Sequence, residues 1–381
     1  MKNKRTYLDY AAATPIDGEV LKAMEMSQEN FANPSAPYAS ARQSKQVLDK
    51  ARKESAMFLQ ANAEEVIFTS GATESNNMAI LGIASAFGEG RIISIQTEHS
   101  SVLGPLQQLE DIGFEVVYCP VDSGGQVILS EFEKLLTKNT LLVTISYANS
   151  EIGTIQPITK ISQVIKAFNT DNGSDIKFHS DASAAVLSLA CDVARLGVDS
   201  LTLGGAKIYG PHGVGLLYVK RGLSIEPIQF GGGQQLGLRP GTEPVTLAIG
   251  LAKALTMASE NISKYKSHLE NLQNELMGML IKSNLEFKLN SPKKGLPGVI
   301  NISFIGQNGE DLVARLDAFG IEVATGAACE ANNEEPSKAL LALGLSYDDA
   351  QASLRISFGR STTATDLQML VGALSDIIQP R

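Results

Sequence analysis

No stretch of the chain approaches the ~18 consecutive apolar residues that a membrane-spanning helix requires, and no long basic run is present. The first absence argues against a membrane span. The second, with a formal net charge of −9 at pH 7, argues against nucleic acid or an anionic membrane as a partner. The opening MKNKRTYLDYAAA is basic, but no apolar stretch follows it, so no secretory signal is expected. Cysteine is scarce. Cys119, Cys191 and Cys329 lie far apart and outside any CxxC, which points to the cytoplasm and away from a disulfide framework. The 4 histidines do not cluster along the chain, so no metal site is expected. Internal repeats, low-complexity tracts and disordered linkers are missing too.

What is present is a long chain with ample material for a core. Its 381 residues are 44% hydrophobic and 19% charged, enough for two or three domains at ~100–200 residues each. Ser40 to Ala61 reads as a helix, and Val66 to Thr69 as a compact strand. A Ser70–Glu74 turn leads into a helical run from Ser75 to Phe87. Strands follow at Ile92–Gln96, Glu115–Tyr118, Leu141–Tyr147, Ile176–Ser180 and Ser200–Leu203. Helices over 101–112, 129–136 and 158–168 separate the first four of them. Such alternation predicts an α/β fold with a mostly parallel sheet covered by helices on both faces. After Pro244 the pattern changes to one long amphipathic helix, with Leu251, Leu255, Ala258, Ile262, Tyr265, Leu269, Leu272, Leu276 and Met279 spaced in threes and fours. Beyond it a smaller α+β region is expected, with strands at Val299–Phe304 and Leu354–Phe358 and a closing helix from Ala364 to Ile378.

In open α/β sheets ligands sit at the carboxyl ends of the strands, so the residues after each strand are the candidates. After Thr69 come Gly71, Ala72 and Thr73 at a helix start, where backbone N–H groups and the helix dipole suit a phosphate. After Gln96 comes His99, able to stack on an aromatic ligand or to move protons near neutral pH. Asn149, Ser150 and Glu151 follow Tyr147, and Asp181 follows Ser180, placed to pair with a pyridinium nitrogen. After Leu203 the glycines Gly204 and Gly205 let the backbone bend and approach a ligand, and Lys207 follows as a candidate Schiff-base lysine. A phosphate cradle, a stacking histidine, an acid and such a lysine are the parts required to hold pyridoxal 5′-phosphate. Cys119 and Cys191, in or beside apolar runs, read as core, whereas Cys329 lies between small residues and the polar run Glu330–Glu335.

Nine blocks carry a resemblance to a known family: YLDYAAATP, SGATESNN, TEHSSVL, NSEIGTIQPI, HSDAS, KIYGPHGVG, GGGQQLGLRPGTE, TGAAC and LRISFGR, in that order. The chain resembles the class V aminotransferases, specifically the cysteine desulfurases of the NifS/IscS group. The resemblance implies the fold type I of pyridoxal-phosphate-dependent transferases. It implies a large cofactor-binding domain over 15–250 and a small domain from 1–14 and 251–381, with a linking helix from about 244 and a catalytic cysteine loop around 325–337. By the same resemblance Lys207 would bind the cofactor covalently and remove the substrate α-proton. Ala72 and Thr73 would meet its phosphate, His99 would stack on its ring and handle protons, and Asp181 would pair with the ring nitrogen. Thr242 would reach the phosphate in a neighbouring subunit, which implies a homodimer with shared active sites. Asn149, Ser150 and Arg355 would bind the substrate, Arg355 clamping its carboxylate. Cys329 would take the sulfur of L-cysteine as a persulfide, leaving alanine, and pass it to an acceptor protein for iron–sulfur cluster assembly or thio-modification.

The sequence departs from the family pattern in the cofactor pocket. Histidine is usual before the lysine and serine three before it; here these are Ala206 and Gly204. Glutamine is usual three after the aspartate, where Ala184 stands, and the usual Asn-Asn-Glu is Asn149-Ser150-Glu151. Hydrogen bonds to charged groups contribute roughly 1.5–3 kcal/mol each, so these losses are expected to weaken cofactor binding. They also keep open two other readings: a different pyridoxal-phosphate-dependent lyase such as a selenocysteine lyase, and a non-catalytic partner protein.

Overall fold

In the computed structural model, which describes residues 5–326 and 336–379, the alternation resolves into strands β1 (Thr6–Tyr7), β2 (Val66–Thr69), β3 (Arg91–Ser94), β4 (Glu115–Tyr118), β5 (Thr140–Thr144), β6 (Lys177–Asp181), β7 (Ser200–Gly204), β8 (Gly215–Val219), β9 (Phe287–Leu289), β10 (Val299–Phe304), β11 (Ile321–Glu322) and β12 (Ser353–Ser357). Seven of them form one sheet in the order β2-β8-β7-β6-β5-β3-β4. The pairs from β4 to β7 are parallel, and β8 runs antiparallel to both its neighbours, β7 and β2. The mostly parallel sheet expected from the sequence is therefore present.

Neighbouring residues on a strand point to opposite faces, and the core follows that rule. Ile92 and Leu142 pack with Ile80, Ile83 and Leu106 from the helices Ala72–Phe87 and Ser100–Asp111. Their neighbours Ile93 and Val143 pack in a second group with Ile161, Ile165, Leu251 and Leu255. Both faces are thus covered, which is why β5 and β7 are buried along their whole length.

The long helix runs from Val245 to Lys282, 38 residues. Its first half packs in the large core through Leu251, Ala252, Leu255 and Ala258. Its second half packs in a separate core through Leu269, Leu272, Leu276 and Leu280, together with Ile300, Leu354 and Leu374. Along this helix the change of core falls between Ala258 and Leu269. The small core rests on the antiparallel sheet β12-β10-β9, with β1 and β11 as a parallel pair beside it. The N-terminal segment also changes sides, since Leu8 belongs to the small core and Ala11 to the large one.

Two boundaries shift in ways that matter. The helix expected from Ser75 begins at Ala72, with Gly71 as its N-cap. Ala72, Thr73 and Glu74 are therefore its first turn, where backbone N–H groups lack intrahelical acceptors. The helix Gly18–Met26 and the strand β9 were not read from the sequence; both are short, and between them only Val20 is fully buried. Cys119 and Cys191 are buried as expected, and burial pushes their thiols up to about 11 and about 12, which leaves them protonated and unreactive. Among the described residues no helix is long and apolar enough to cross a membrane, and no group of three or more His, Cys, Asp or Glu is placed to hold a metal ion.

Candidate active site

The carboxyl ends of the strands open onto a cavity of about 570 Å³, within the range of small-molecule sites. From the large domain it is lined by Ala72, Thr73, His99, Asn149, Asp181 and Lys207, and from the small domain's side by Asp9, Gly326, Ser337 and Arg355. Ser150 also lines it. The structure thus brings together every sequence-proposed site residue among those described except Thr242. Thr242 is exposed and does not line this cavity. Its loop is held from behind: Gln235 accepts the Phe68 amide (2.8 Å), and Arg239 pairs with Glu74 (3.0 Å). Cys329 lies outside the described residues, but Gly326 and Ser337 on either side of that segment both line the cavity.

At one end a chain of hydrogen bonds fixes the acid and the histidine. Asp181 ends β6, and its carboxylate accepts the Ser183 amide (2.8 Å) and the Asn76 side-chain amide (2.7 Å). Asn76 also donates to the Ser101 hydroxyl (2.9 Å). With both amide hydrogens spent, its Oδ1 is an acceptor, and it takes the Nε2–H of His179 (3.2 Å). His179 Nδ1 then accepts from Ser200 (2.9 Å), and burial holds this histidine neutral, its pKa well below the usual value. The Ser101 backbone N–H donates to His99 Nδ1 (3.1 Å), so that nitrogen carries its lone pair and also receives the Ser101 hydroxyl (2.8 Å). The proton of neutral His99 is therefore on Nε2. Burial, reinforced by the nearby Lys207 cation, lowers the His99 pKa, so the neutral ring is the form present near pH 7. Asn76, Ser101 and His179 escaped the sequence analysis. The histidines that do not cluster along the chain are linked in space for two of the four, through Asn76 and Ser101.

Beside this chain lies Glu98, buried among the lining residues and accepting the Ser146 amide (2.7 Å) and hydroxyl. Burial raises its pKa to about 7; Ser146 opposes the rise and Asp181 adds to it.

At the other end the helix start at Ala72 meets β7 and β8. Lys207 closes a short turn, Gly205–Lys207, pinned where the Thr14 amide and hydroxyl both donate to the Ala206 carbonyl (2.8 and 2.9 Å). Of the two glycines before it, Gly205 is the one sterically required: a Cβ there would stand 2.6 Å from the Pro211 carbonyl oxygen. At Gly204 a Cβ would stand 3.3 Å from the Ala72 methyl, a tight contact that a small shift could relieve. Glu74, in the helix's first turn, would repel an anion there, but it is tied up. Burial alone would raise its pKa, yet hydrogen bonds from Arg239 and Ser70 hold it below the usual carboxylate value.

On the small domain's side Arg355, on β12, is buried and pairs with Asp9 (2.8 Å). Its Nε has no hydrogen-bond partner among the described residues, so the guanidinium keeps a donor for a ligand. Asn149 lines the cavity, but its amide is largely spent on the turn it starts. Oδ1 accepts from Glu151 and Ile152 (2.8 and 2.9 Å), and Nδ2 donates to the Thr97 carbonyl (2.6 Å).

The donor set fits pyridoxal 5′-phosphate. Asp181 offers a carboxylate for a ring nitrogen, the Ala72 helix start offers amides for a phosphate, and Lys207 offers an amine between them. The buried Ser183 hydroxyl in the cavity wall has no partner among the described residues, as expected of a side chain that serves a ligand.

Comparison with known proteins agrees with this chemistry. The family described as Aminotransferase class-V matches residues 6–370. A cysteine desulfurase IscS from Dictyoglomus turgidum is 40% identical over 380 residues, covering 99% of this chain and 95% of that protein. A solved NifS-like protein superposes with a TM-score of 0.91 at 32% identity, covering 98% of this chain and 99% of that one. The solved structure of SspA in complex with cysteine superposes with a TM-score of 0.79 at 36% identity, covering 92% and 98%.

Proposed function

The chain belongs to the aminotransferase class-V family, and from that premise we propose how it works as a cysteine desulfurase: it uses pyridoxal 5′-phosphate to convert L-cysteine to L-alanine and takes the sulfur onto Cys329 as a persulfide. The observation that carries this is the convergence of Lys207, Asp181, His99 and Arg355 on one cavity. When bound, the cofactor supplies a sink for the electron pair left by the substrate α-proton.

The chain's own residues do the rest. Lys207 holds the cofactor through its amine and, once displaced by substrate, is the base for the α-proton. Asp181, held by Asn76 and Ser183, keeps its carboxylate aimed at the ring nitrogen. His99 presents a neutral face to the ring and an Nε2–H toward the cavity, so it stacks without adding charge and donates rather than accepts at that atom. Ala72 and Thr73 receive the phosphate with their first-turn amides. Arg355, steadied on one side by Asp9, binds the substrate carboxylate. Asn149 and Ser150 shape the wall beside it. Cys329, as the thiolate, forms a bond to the substrate sulfur while the carbon–sulfur bond breaks, and the carbon left behind takes a proton to become alanine.

The working unit is a homodimer in which the exposed Thr242 of each subunit completes its neighbour's phosphate site. The exposed Phe230 and Leu236 on the same loop support a contact there, because large apolar side chains so placed favour burial. A sulfur-acceptor protein and a cytoplasmic setting complete the proposal. The test is to supply the protein with the cofactor and L-cysteine and to measure alanine and bound persulfide. Wild type should form both, while Cys329→Ala should form no persulfide and lose turnover. Full activity of Cys329→Ala would mean that the reaction is an elimination without a sulfur-accepting thiol.

A further inference from the structure

Ser183 stands out among the cavity's lining residues. It is 4% exposed, and its Oγ has no hydrogen-bond partner among the described residues. A buried hydroxyl left unmatched costs free energy, so its retention calls for a partner the chain does not supply. Its surroundings indicate which partner. The Cβ position at Gly204 is 3.7 Å from Ser183 Oγ and 3.6 Å from the Ala72 amide nitrogen. The hydroxyl and the first amide of the helix 72–87 therefore both stand beside Gly204, and Ser183 and Ala72 both line the cavity. An N–H at the positive end of a 16-residue helix beside a hydroxyl is a site for an anionic oxygen. Ala206 and Ala72 add no side-chain donor there, since each carries only a methyl group. Glu74 is neutralised as a competitor by its pair with Arg239.

We propose that the Ser183 hydroxyl binds the phosphate of pyridoxal 5′-phosphate, supplying a donor that neither Gly204 nor Ala206 provides. The proposal rests on the cofactor assignment made above. It gives Ser183 two tasks at once: its backbone N–H steadies Asp181 (2.8 Å), and its hydroxyl reaches the phosphate. The seat is then built from the strand end after β6 as well as from the helix start.

The test uses the full chain freed of cofactor, as wild type, Ser183→Ala and Ser183→Cys. Each is titrated with pyridoxal 5′-phosphate and with pyridoxal, which lacks the phosphate, and bound cofactor is followed by visible absorbance. The melting temperature of each cofactor-free protein is also measured. Ser183→Ala should weaken binding of the phosphorylated form about tenfold or more, the scale of a hydrogen bond to a charged group, and leave pyridoxal within about twofold. Ser183→Cys, of similar shape but a weak donor, should fall between. The cofactor-free Ser183→Ala protein should melt no lower than wild type, because no described residue loses a partner. Unchanged affinity for the phosphorylated form, equal losses for both forms, or a lowered melting temperature without cofactor would each overturn the proposal. If wild type binds neither form, the cofactor assignment falls first and this inference with it.

Discussion

The two ends of the cavity are built on opposite plans. At the Asp181 end the acid, Asn76, Ser101, His99 and His179 form one chain of hydrogen bonds closed within the protein. At the Ala72 end the helix start and Ser183 line the cavity, and the Ser183 hydroxyl has no partner among the described residues. The first end is organised before any ligand arrives, as groups that must hold a charge and a tautomer need to be. The second keeps its donors for the ligand. A change at the first end should therefore be felt in the empty protein, and a change at the second only in the filled one.

Lys207 sits where the two ends meet, and its loss should have the largest effect. Lys207→Ala should lower alanine formation at least roughly 10³-fold, the scale set by loss of a positioned base, and a residual rate near wild type would break the account. Glu98→Gln probes the closed end by pH. Burial lets folded Glu98 keep its proton up to about 7, against about 4.5 for an ordinary glutamate. Between those values the folded protein holds a proton that the unfolded chain has released, so Glu98 costs the wild type stability as pH rises through that window. The variant should gain on wild type across that window, by up to about 3 kcal/mol, and hold the gain above it. His99 and His179, both lowered, lose stability as pH falls below about 6.5 in either protein, so they cancel in the difference. Urea unfolding at a series of pH values reads the gain, and a difference independent of pH would contradict the assignment.

Asn76→Ala tests the comparison itself. It strips a 2.7 Å bond from a carboxylate and unpairs His179, so the cofactor-free protein should lose about 1.5–3 kcal/mol in urea unfolding. An equal loss in Ser183→Ala would erase the difference between the ends. The smallest effect is expected on the small domain's side. Arg355→Lys should lower kcat/KM for L-cysteine about 10- to 100-fold through the loss of a two-pronged contact, with cofactor affinity unchanged. A matching loss of cofactor would mean that Arg355 serves the ring end instead.

The sequence made the strands and the parallel sheet legible, because buried strands such as Thr140–Thr144 read as continuous apolar or β-branched runs. It also placed Lys207, Asp181 and His99 at strand ends, since topology alone sends such positions to the ligand. Asn76 and Ser183 stayed hidden for a different reason. Each is a small polar residue whose role depends on a partner over a long stretch of chain, Asp181 for the one and the helix start at Ala72 for the other. The start of the helix at Ala72 was misjudged because Ser70-Gly71 reads as a turn, while Gly71 is the cap. In one respect the changed residues mislead. Gly204 and Ala206 look like erosion in the sequence, whereas in the structure the Ser183 hydroxyl, unmatched among the described residues, stands beside Gly204.

The claim on which the rest depends is a covalent bond between Lys207 and an aldehyde cofactor. Incubating the purified protein with pyridoxal 5′-phosphate, reducing it with borohydride and mapping the peptides by mass spectrometry tests this directly. The account predicts the phosphopyridoxyl group on Lys207 as the dominant adduct. A dominant adduct on another lysine, or none, would contradict it.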